Sequence, residues 1–238
     1  MKRFIFLIIE VLIFISLIFY YSTHSVLLAE PSKTYSTIIA YRLQTNALLQ
    51  GHLALSQNPF GAPRYDYLWT GHGLQQNWGL GVPFMRFPFE WVGKHLGFSP
   101  FPDRVILLFY LTLMVVFLNM ALRLSLRSLG IAINSILGFF IRWYLIVWVL
   151  FSPGFSSLIH VNLDIYHEAI FYACIYSHLL LALFLIYVLR STEGNFFVVC
   201  IASGLAWLIR PTLISYGLVT LIFTILYAYQ NKYKARIL

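Results

Sequence analysis

Residues 105–122 read VILLFYLTLMVVFLNMAL, an unbroken apolar run without a charged residue. A helix of about 20 apolar residues is long enough to cross the hydrocarbon core of a bilayer. The whole chain agrees with this run, because 60% of its 238 residues are hydrophobic and only 10% are charged. Its mean hydropathy is +0.79. This composition excludes soluble enzyme folds, a disordered chain and a disulfide scaffold, and it predicts an all-α integral membrane protein.

Hydropathy predicts about six transmembrane helices in one membrane domain, 1–238. An extracytoplasmic loop occupies 23–104 and a helical bundle occupies 105–238. The predicted spans are 4–21, 105–122, 131–150, 169–189, 195–209 and 212–229. The first follows Met1-Lys2-Arg3 and fits either a cleaved signal peptide or a retained signal anchor; its length favours the anchor. Pro211 is expected to open the last helix.

Basic residues predict the orientation, because Lys and Arg near span ends prefer the cytoplasm. With the N-terminus inside, every short cytoplasmic loop is basic, and both termini lie on the cytoplasmic side of the inner membrane. The residues collected there are Lys2, Arg3, Arg123, Arg127, Arg190, Lys232, Lys234 and Arg236. The net charge of +8 is therefore explained by the orientation of the chain in the membrane, and it does not indicate a nucleic-acid partner.

Two segments of the large loop have the pattern of helices that lie on the membrane surface. In 35–50, apolar residues such as Leu43 and Ala47 follow one side of the helix, while polar residues such as Arg42 lie elsewhere. In 82–96, aromatic residues dominate, which is typical of headgroup depth. Between them, Gly79-Leu80-Gly81 follows no predicted strand, so it is interpreted as a turn and not as a phosphate loop.

Six of the eight acids fall outside or at the outer boundary, which indicates an outward-facing site. These six are Glu30, Asp66, Glu90, Asp103, Asp164 and Glu168. The same boundary receives His160, His167, Arg104 and Arg210. Charged and titratable groups at membrane depth are expensive and often functional. The cysteines, Cys174 and Cys200, lie in apolar runs and are expected to be packing residues.

The stretch from His160 to Glu168 has helical spacing that allows three interpretations. His160 and Asp164 are four residues apart, and Asp164 is three and four residues from His167 and Glu168. Such spacing fits a divalent metal site, the lining of an active site, or a polar helix start with Asp164 offsetting the helix dipole.

Two arginines require a partner. Arg210 at the outer turn fits either a lipid phosphate, which matches its guanidinium fork, or a snorkelling contact with the interface. Arg142 falls near the middle of the third span, where a charge should face the bundle or a cavity. Its expected partner is Glu10 or a backbone carbonyl.

Several short motifs resemble one family of membrane enzymes. They are Ala47-Leu-Leu-Gln-Gly51, Tyr65-Asp66-Tyr-Leu-Trp69, Trp78-Gly-Leu-Gly-Val-Pro83, Pro102-Asp103-Arg104, Tyr166-His-Glu168 and Gly204-Leu-Ala-Trp-Leu-Ile-Arg210. Their order along the chain resembles the GT-C superfamily of membrane glycosyltransferases, in particular the bacterial relatives of the protein O-mannosyltransferases. The chain would be a minimal or truncated version, because members are usually longer.

The resemblance implies a function. Members take a sugar from a polyprenyl-phosphate donor, use an outer-loop acid as catalytic base, and in some cases need a divalent metal. The family acid normally precedes an Ala-x-x-Leu-x-x-Gly element, but 35–46 contains no acid here. Either Asp66 has taken the role or the chain lacks the base.

The leading hypothesis is therefore sugar transfer on the outer face, with residues in named roles. Asp66 and Glu168 are the catalytic candidates. Substrate-binding candidates are Asp103, Arg104, His167 and Arg210, and candidate metal ligands are Asp164 and His160. The expected partners are the lipid-linked sugar, membrane lipid and a membrane partner subunit. The rivals are a non-catalytic lipid-binding or scaffold protein of the same fold and, third, a transporter component.

Overall fold

The computed structural model describes residues 2–24, 40–56, 67–76, 79–97, 100–133, 135–152 and 165–237. Helices dominate these residues. In chain order the elements are α1 (Lys2–His24), α2 (Ala40–Leu49), β1 (Tyr67–Trp69), β2 (Leu74–Gln76), α3 (Gly81–Leu96), α4 (Asp103–Ser128), α5 (Ile136–Leu150), α6 (Ile165–Leu189), α7 (Glu193–Ile209), a 3₁₀ turn (Pro211–Leu213) and α8 (Ile214–Ile237).

Among the described residues, three helices are long and apolar enough to cross a membrane. These stretches are Val105–Ser128, Glu168–Leu189 and Pro211–Asn231, within α4, α6 and the 3₁₀ turn with α8. Shorter apolar helices occupy Ile8–Tyr20, Ile136–Leu150 and Glu193–Ile209. By length and composition the chain is thus a membrane protein, while the number of six spans stays a prediction.

One predicted span begins at the wrong residue. Sequence hydropathy starts the third span at Ile131, but α5 begins at Ile136. Gly130, with φ +74°, follows the preceding helix. The Ser135 backbone N–H then donates to the Ala132 carbonyl oxygen at 2.9 Å, so the chain makes a turn before α5 starts. Ser135 then caps α5 by accepting a hydrogen bond from the Gly138 backbone N–H at 3.0 Å. Such a cap fixes the first turn by satisfying an amide that no helical carbonyl reaches.

A small β-hairpin departs from the all-α prediction. Strands β1 and β2 pair antiparallel, with Tyr67 opposite Gln76 and Trp69 opposite Leu74. Leu74 is buried and also bridges to Ser56. The hairpin therefore links the segment after α2 to the segment that leads into α3.

The bundle has two chemically distinct ends. Both α4 and α6 begin near one end, where Asp103 and Glu168 contact the same arginine. We call it the acidic end. At the opposite end, which we call the basic end, α4 and α6 finish with Arg127 and Arg190. Between them the core is apolar and aromatic, with fully buried side chains that include Ile106, Met114, Ile146, Tyr172 and Ile175.

Helix α3 buries two charged side chains and exposes several large apolar ones. Arg86 and Glu90 are buried, whereas Phe84, Trp91 and Leu96 are exposed. A soluble helix has the reverse arrangement. Polar groups directed inward and aromatic groups directed outward are typical of a helix whose outer surface meets lipid.

Candidate functional site

A buried group of charged side chains lies at the acidic end and centres on Arg86. Its guanidinium donates to Glu90 Oε1 at 3.0 Å and to Glu168 Oε1 at 3.3 Å, and it also pairs with Asp103. The side chain of Arg86 is 1% exposed. We call Arg86, Glu90, Asp103 and Glu168, together with Arg42, the acid cluster.

The acid cluster joins four helices. Arg42 in α2 lies 3.9 Å from Asp103 Oδ2 at the start of α4. Glu90 in α3 also accepts a hydrogen bond from the Phe101 backbone N–H at 2.8 Å. The cluster therefore ties the two loop helices, α2 and α3, to the two bundle helices, α4 and α6.

Acidic groups outnumber basic groups in this cluster. Three carboxylates face two guanidinium groups, so one negative charge is in excess when all five are ionised. Burial alone would lower the pKa of Arg86, but Tyr172, Asp103 and Glu168 raise it above its ordinary value. Arg86 therefore stays charged throughout the physiological range.

An aromatic layer packs beneath the acid cluster. The Phe89 ring lies 5.1 Å from the Phe109 ring and 5.8 Å from the Tyr110 ring, centroid to centroid. The Tyr110 hydroxyl donates to the Met85 carbonyl oxygen at 2.6 Å. Edge-to-face aromatic pairs of this kind contribute about 0.5–1.5 kcal/mol each beyond the area that they bury. They hold α3 against α4 and keep the medium around the charges apolar.

Arg210 occupies a separate place at the acidic end, in the turn between α7 and the 3₁₀ helix. It is partly exposed and forms no ion pair within the part of the chain that the structure describes. The glycine pair before and at the start of α3 packs directly on this turn. A Cβ at Gly79 would lie 2.5 Å from the Leu208 carbonyl oxygen, and one at Gly81 would lie 2.5 Å from the Ile209 backbone.

The glycines therefore have a packing role beyond the predicted turn. Gly79 has φ +87°, a conformation that favours glycine. Gly81 has none of this strain, and its small size alone permits the close approach of α3 to the end of α7. Without that approach, Arg210 would not lie beside the loop segment that starts α3.

A second buried charged group lies deeper in the bundle. Arg142 in α5 donates to Glu10 Oε1 in α1 at 2.5 Å and to Asn119 Oδ1 in α4 at 2.7 Å. Glu10 also pairs with Arg123. The Arg142 side chain is only 2% exposed. Of the two partners considered for Arg142, the structure has Glu10.

The structure brings together two of the predicted site residues, Asp103 and Glu168, and leaves Arg210 outside their cluster. Asp66, Asp164 and His160 lie outside the described residues. Arg104 is in α4 and His167 is in α6, but their side chains also lie outside the described part of the chain. The predicted roles of these five residues therefore stay predictions.

Sequence reasoning missed Arg86 as a site residue and gave Glu90 no role. Both lie within the aromatic segment 82–96, which the sequence predicts to lie on the membrane surface. Arg86 and Glu90 are four residues apart, the separation at which a helix brings opposite charges together. That spacing, inside a segment with so few charges, is the sequence signal that indicates an ion pair between Arg86 and Glu90.

A metal ion is a further candidate for this site. Among the described residues, no group of three His, Cys, Asp or Glu side chains is arranged to hold one. The carboxylates of the acid cluster instead surround a guanidinium. The predicted ligands, Asp164 and His160, are not among the described residues, so the metal prediction is untested.

Comparisons with known proteins give no family for this chain. No protein-family model, curated protein or solved structure matches it.

Proposed function

We propose that the chain is a membrane glycosyltransferase that takes a sugar from a polyprenyl-phosphate donor at the acidic end. The observation that carries the proposal is the acid cluster, with its excess carboxylate, buried where the loop helices meet the bundle. Buried ionisable groups in a membrane protein are expensive, and they commonly mark a functional site. The resemblance to the GT-C superfamily supplies the reaction.

The reaction needs a base and a cation, and the chain offers a candidate for each. A base removes the proton from the acceptor hydroxyl, whose oxygen forms a bond to the anomeric carbon of the sugar. The bond between that carbon and the phosphate oxygen breaks, and polyprenyl phosphate leaves with the electron pair. We assign the base to Asp66 and the stabilisation of the leaving phosphate to Arg210 and Arg104.

The acid cluster has a positioning role in this proposal. Arg86 fixes Glu168 and Asp103, and through Glu90 it also fixes the segment at Phe101. Rigid placement matters because catalytic groups must be held within about 0.5 Å of their working geometry. Glu168 is proposed to support the donor site from this fixed position, next to His167 in the sequence.

Arg210 supports the donor half of the proposal. It is partly exposed, lies at the end of a candidate span and has no ion-pair partner among the described acids. A guanidinium in this setting is available to a phosphate, which it binds with two parallel hydrogen bonds. The outer orientation of the acidic end follows from the basic residues at the opposite end and is part of the proposal.

A non-catalytic scaffold is the second candidate function. One observation favours it, namely that Asp103 and Glu168 are both neutralised by Arg86 and almost fully buried. In that case the cluster serves only to hold the loop on the bundle.

Donor cleavage distinguishes the two candidates. Purified protein is incubated with synthetic polyprenyl-phosphate hexoses and pentoses and a mixture of acceptor alcohols, and release of polyprenyl phosphate is followed by chromatography. We expect wild-type turnover with at least one sugar. Asp66→Asn should lower it by about 10²-fold or more, which is typical for loss of a general base.

Glu193→Gln provides the matched control, because it removes an exposed carboxylate at the basic end. It should retain full activity. Full activity of a well-folded Asp66→Asn variant would remove Asp66 from the role of base. Absence of turnover with every donor would overturn the enzyme proposal in favour of the scaffold.

A further inference from the structure

A cavity of about 610 Å³ opens at the basic end, opposite the acid cluster. Its described lining includes three arginines, Arg123, Arg127 and Arg190, and no acidic side chain. Small-molecule sites commonly have volumes of about 300–1,000 Å³, so the space suits a ligand of headgroup size. We call it the basic cavity.

The α4 wall of the basic cavity changes from apolar to basic along the helix axis. Val116 and Met120 come first, and Arg123 and Arg127 follow at spacings of three and four residues, so all four lie on one face. Val116 is 50% exposed and Met120 is 39% exposed. An exposed apolar groove on this face of α4 therefore leads to a group of guanidinium ions at the end of the helix.

Two of the three arginines are free to bind a ligand. Arg127 and Arg190 are exposed, and within the described ranges neither side chain forms an ion pair. Arg123 is held by Glu10, which fixes one cation at the cavity wall. Arginines near the C-terminal ends of α4 and α6 also interact favourably with the helix dipoles. That interaction explains why arginines lie at these helix ends, but it does not explain the cavity or the apolar groove beside them.

We propose that the basic cavity binds the phosphate headgroup of an anionic membrane lipid, with an acyl chain along Val116 and Met120. Guanidinium groups match phosphate oxygens, and basic pockets between transmembrane helices on the cytoplasmic side suit anionic headgroups. The apolar groove favours a lipid over a free phosphate ion, which has no apolar part. The inference is independent of sugar transfer, because the cavity shares no residue with the acid cluster or with Arg210.

Lipid titration of the full chain tests the inference. Delipidated protein in a neutral detergent is titrated with dioleoyl phosphatidylglycerol or dioleoyl phosphatidylcholine, and bound lipid is counted by native mass spectrometry. We expect one tight phosphatidylglycerol site, and Arg190→Gln or Arg127→Gln should weaken it about tenfold, as loss of one charge-assisted hydrogen bond implies. Phosphatidylcholine binding should be weaker and should not change in either variant.

Lys94→Gln is the matched control, because it removes one exposed positive charge at the other end of the molecule, in α3. It should leave phosphatidylglycerol binding unchanged. Equal binding of the two lipids, or equal loss in Lys94→Gln and Arg190→Gln, would overturn the proposal. In a competition arm, inorganic phosphate that displaces the lipid at comparable concentration would assign the site to a free anion instead.

Discussion

Removal of Arg86 should destabilise the protein more than removal of any exposed charge. In Arg86→Met the buried carboxylates of Glu90, Asp103 and Glu168 lose their shared partner, and Arg42, 3.9 Å from Asp103, is the cation of the acid cluster that remains. Removing one partner of a buried ion pair costs about 3–5 kcal/mol. The three lost charge-assisted hydrogen bonds, at about 1.5–3 kcal/mol each, would sum to a larger destabilisation. Part of it is offset, because the variant no longer has to remove the Arg86 guanidinium from water. We therefore expect a loss of about 4 kcal/mol in the free energy of unfolding.

The assay is unfolding in mixed micelles with increasing dodecyl sulfate, followed by the fluorescence of the six tryptophans. Lys94→Met is the matched control, since it removes an exposed charge from the same helix and should change the free energy by about 0.5 kcal/mol or less. Glu168→Gln added to Arg86→Met should recover part of the loss, because one uncompensated charge disappears. A loss below about 1 kcal/mol in Arg86→Met would refute the claim that the cluster holds the loop on the bundle.

Two further substitutions test the packing of the acidic end and the deeper charged group. Gly81→Ala should lower the free energy of unfolding by about 1–3 kcal/mol, because its Cβ would lie 2.5 Å from the Ile209 backbone. The control, Gly204→Ala, has open space around it and should be neutral or stabilising. Equal effects of the two substitutions in the same unfolding assay would contradict the close contact at Gly81. Glu10→Gln should cost about 3 kcal/mol, because it removes the negative charge that compensates the buried Arg142 and leaves that guanidinium with neutral acceptors. Glu193→Gln at an exposed position should cost almost nothing. A neutral Glu10→Gln would show that the charge pair contributes no stability.

The helices were predictable because their signals are local. An apolar run such as 105–122 needs no tertiary information to form a helix in a membrane, and α4 contains it entirely. The start of α5 was not predicted correctly, since residues 131–133 are apolar but precede the helix, and hydropathy does not register the cap at Ser135. The β-hairpin was missed for a related reason, because strands of three residues carry almost no periodicity.

The candidate site was only partly predictable because its centre depends on contacts between distant segments. Asp103 and Glu168 were identified as acids at an outer boundary. Arg86, which brings them together, lies 17 residues from the first and 82 from the second. No spacing rule connects residues at such separations. Glu10 was one of the two partners expected for Arg142, since opposite charges within the predicted spans are few in this chain.

The proposal of a lipid-linked donor is tested most directly by native mass spectrometry of the gently extracted protein. Wild type should carry polyprenyl phosphate or its sugar-linked form, and Arg210→Ala should lose it while retaining the phospholipid of the basic cavity. The mass of a polyprenyl chain distinguishes this ligand from any phospholipid. Absence of a polyprenyl lipid from wild type, or its unchanged retention in Arg210→Ala, would contradict the proposed donor site.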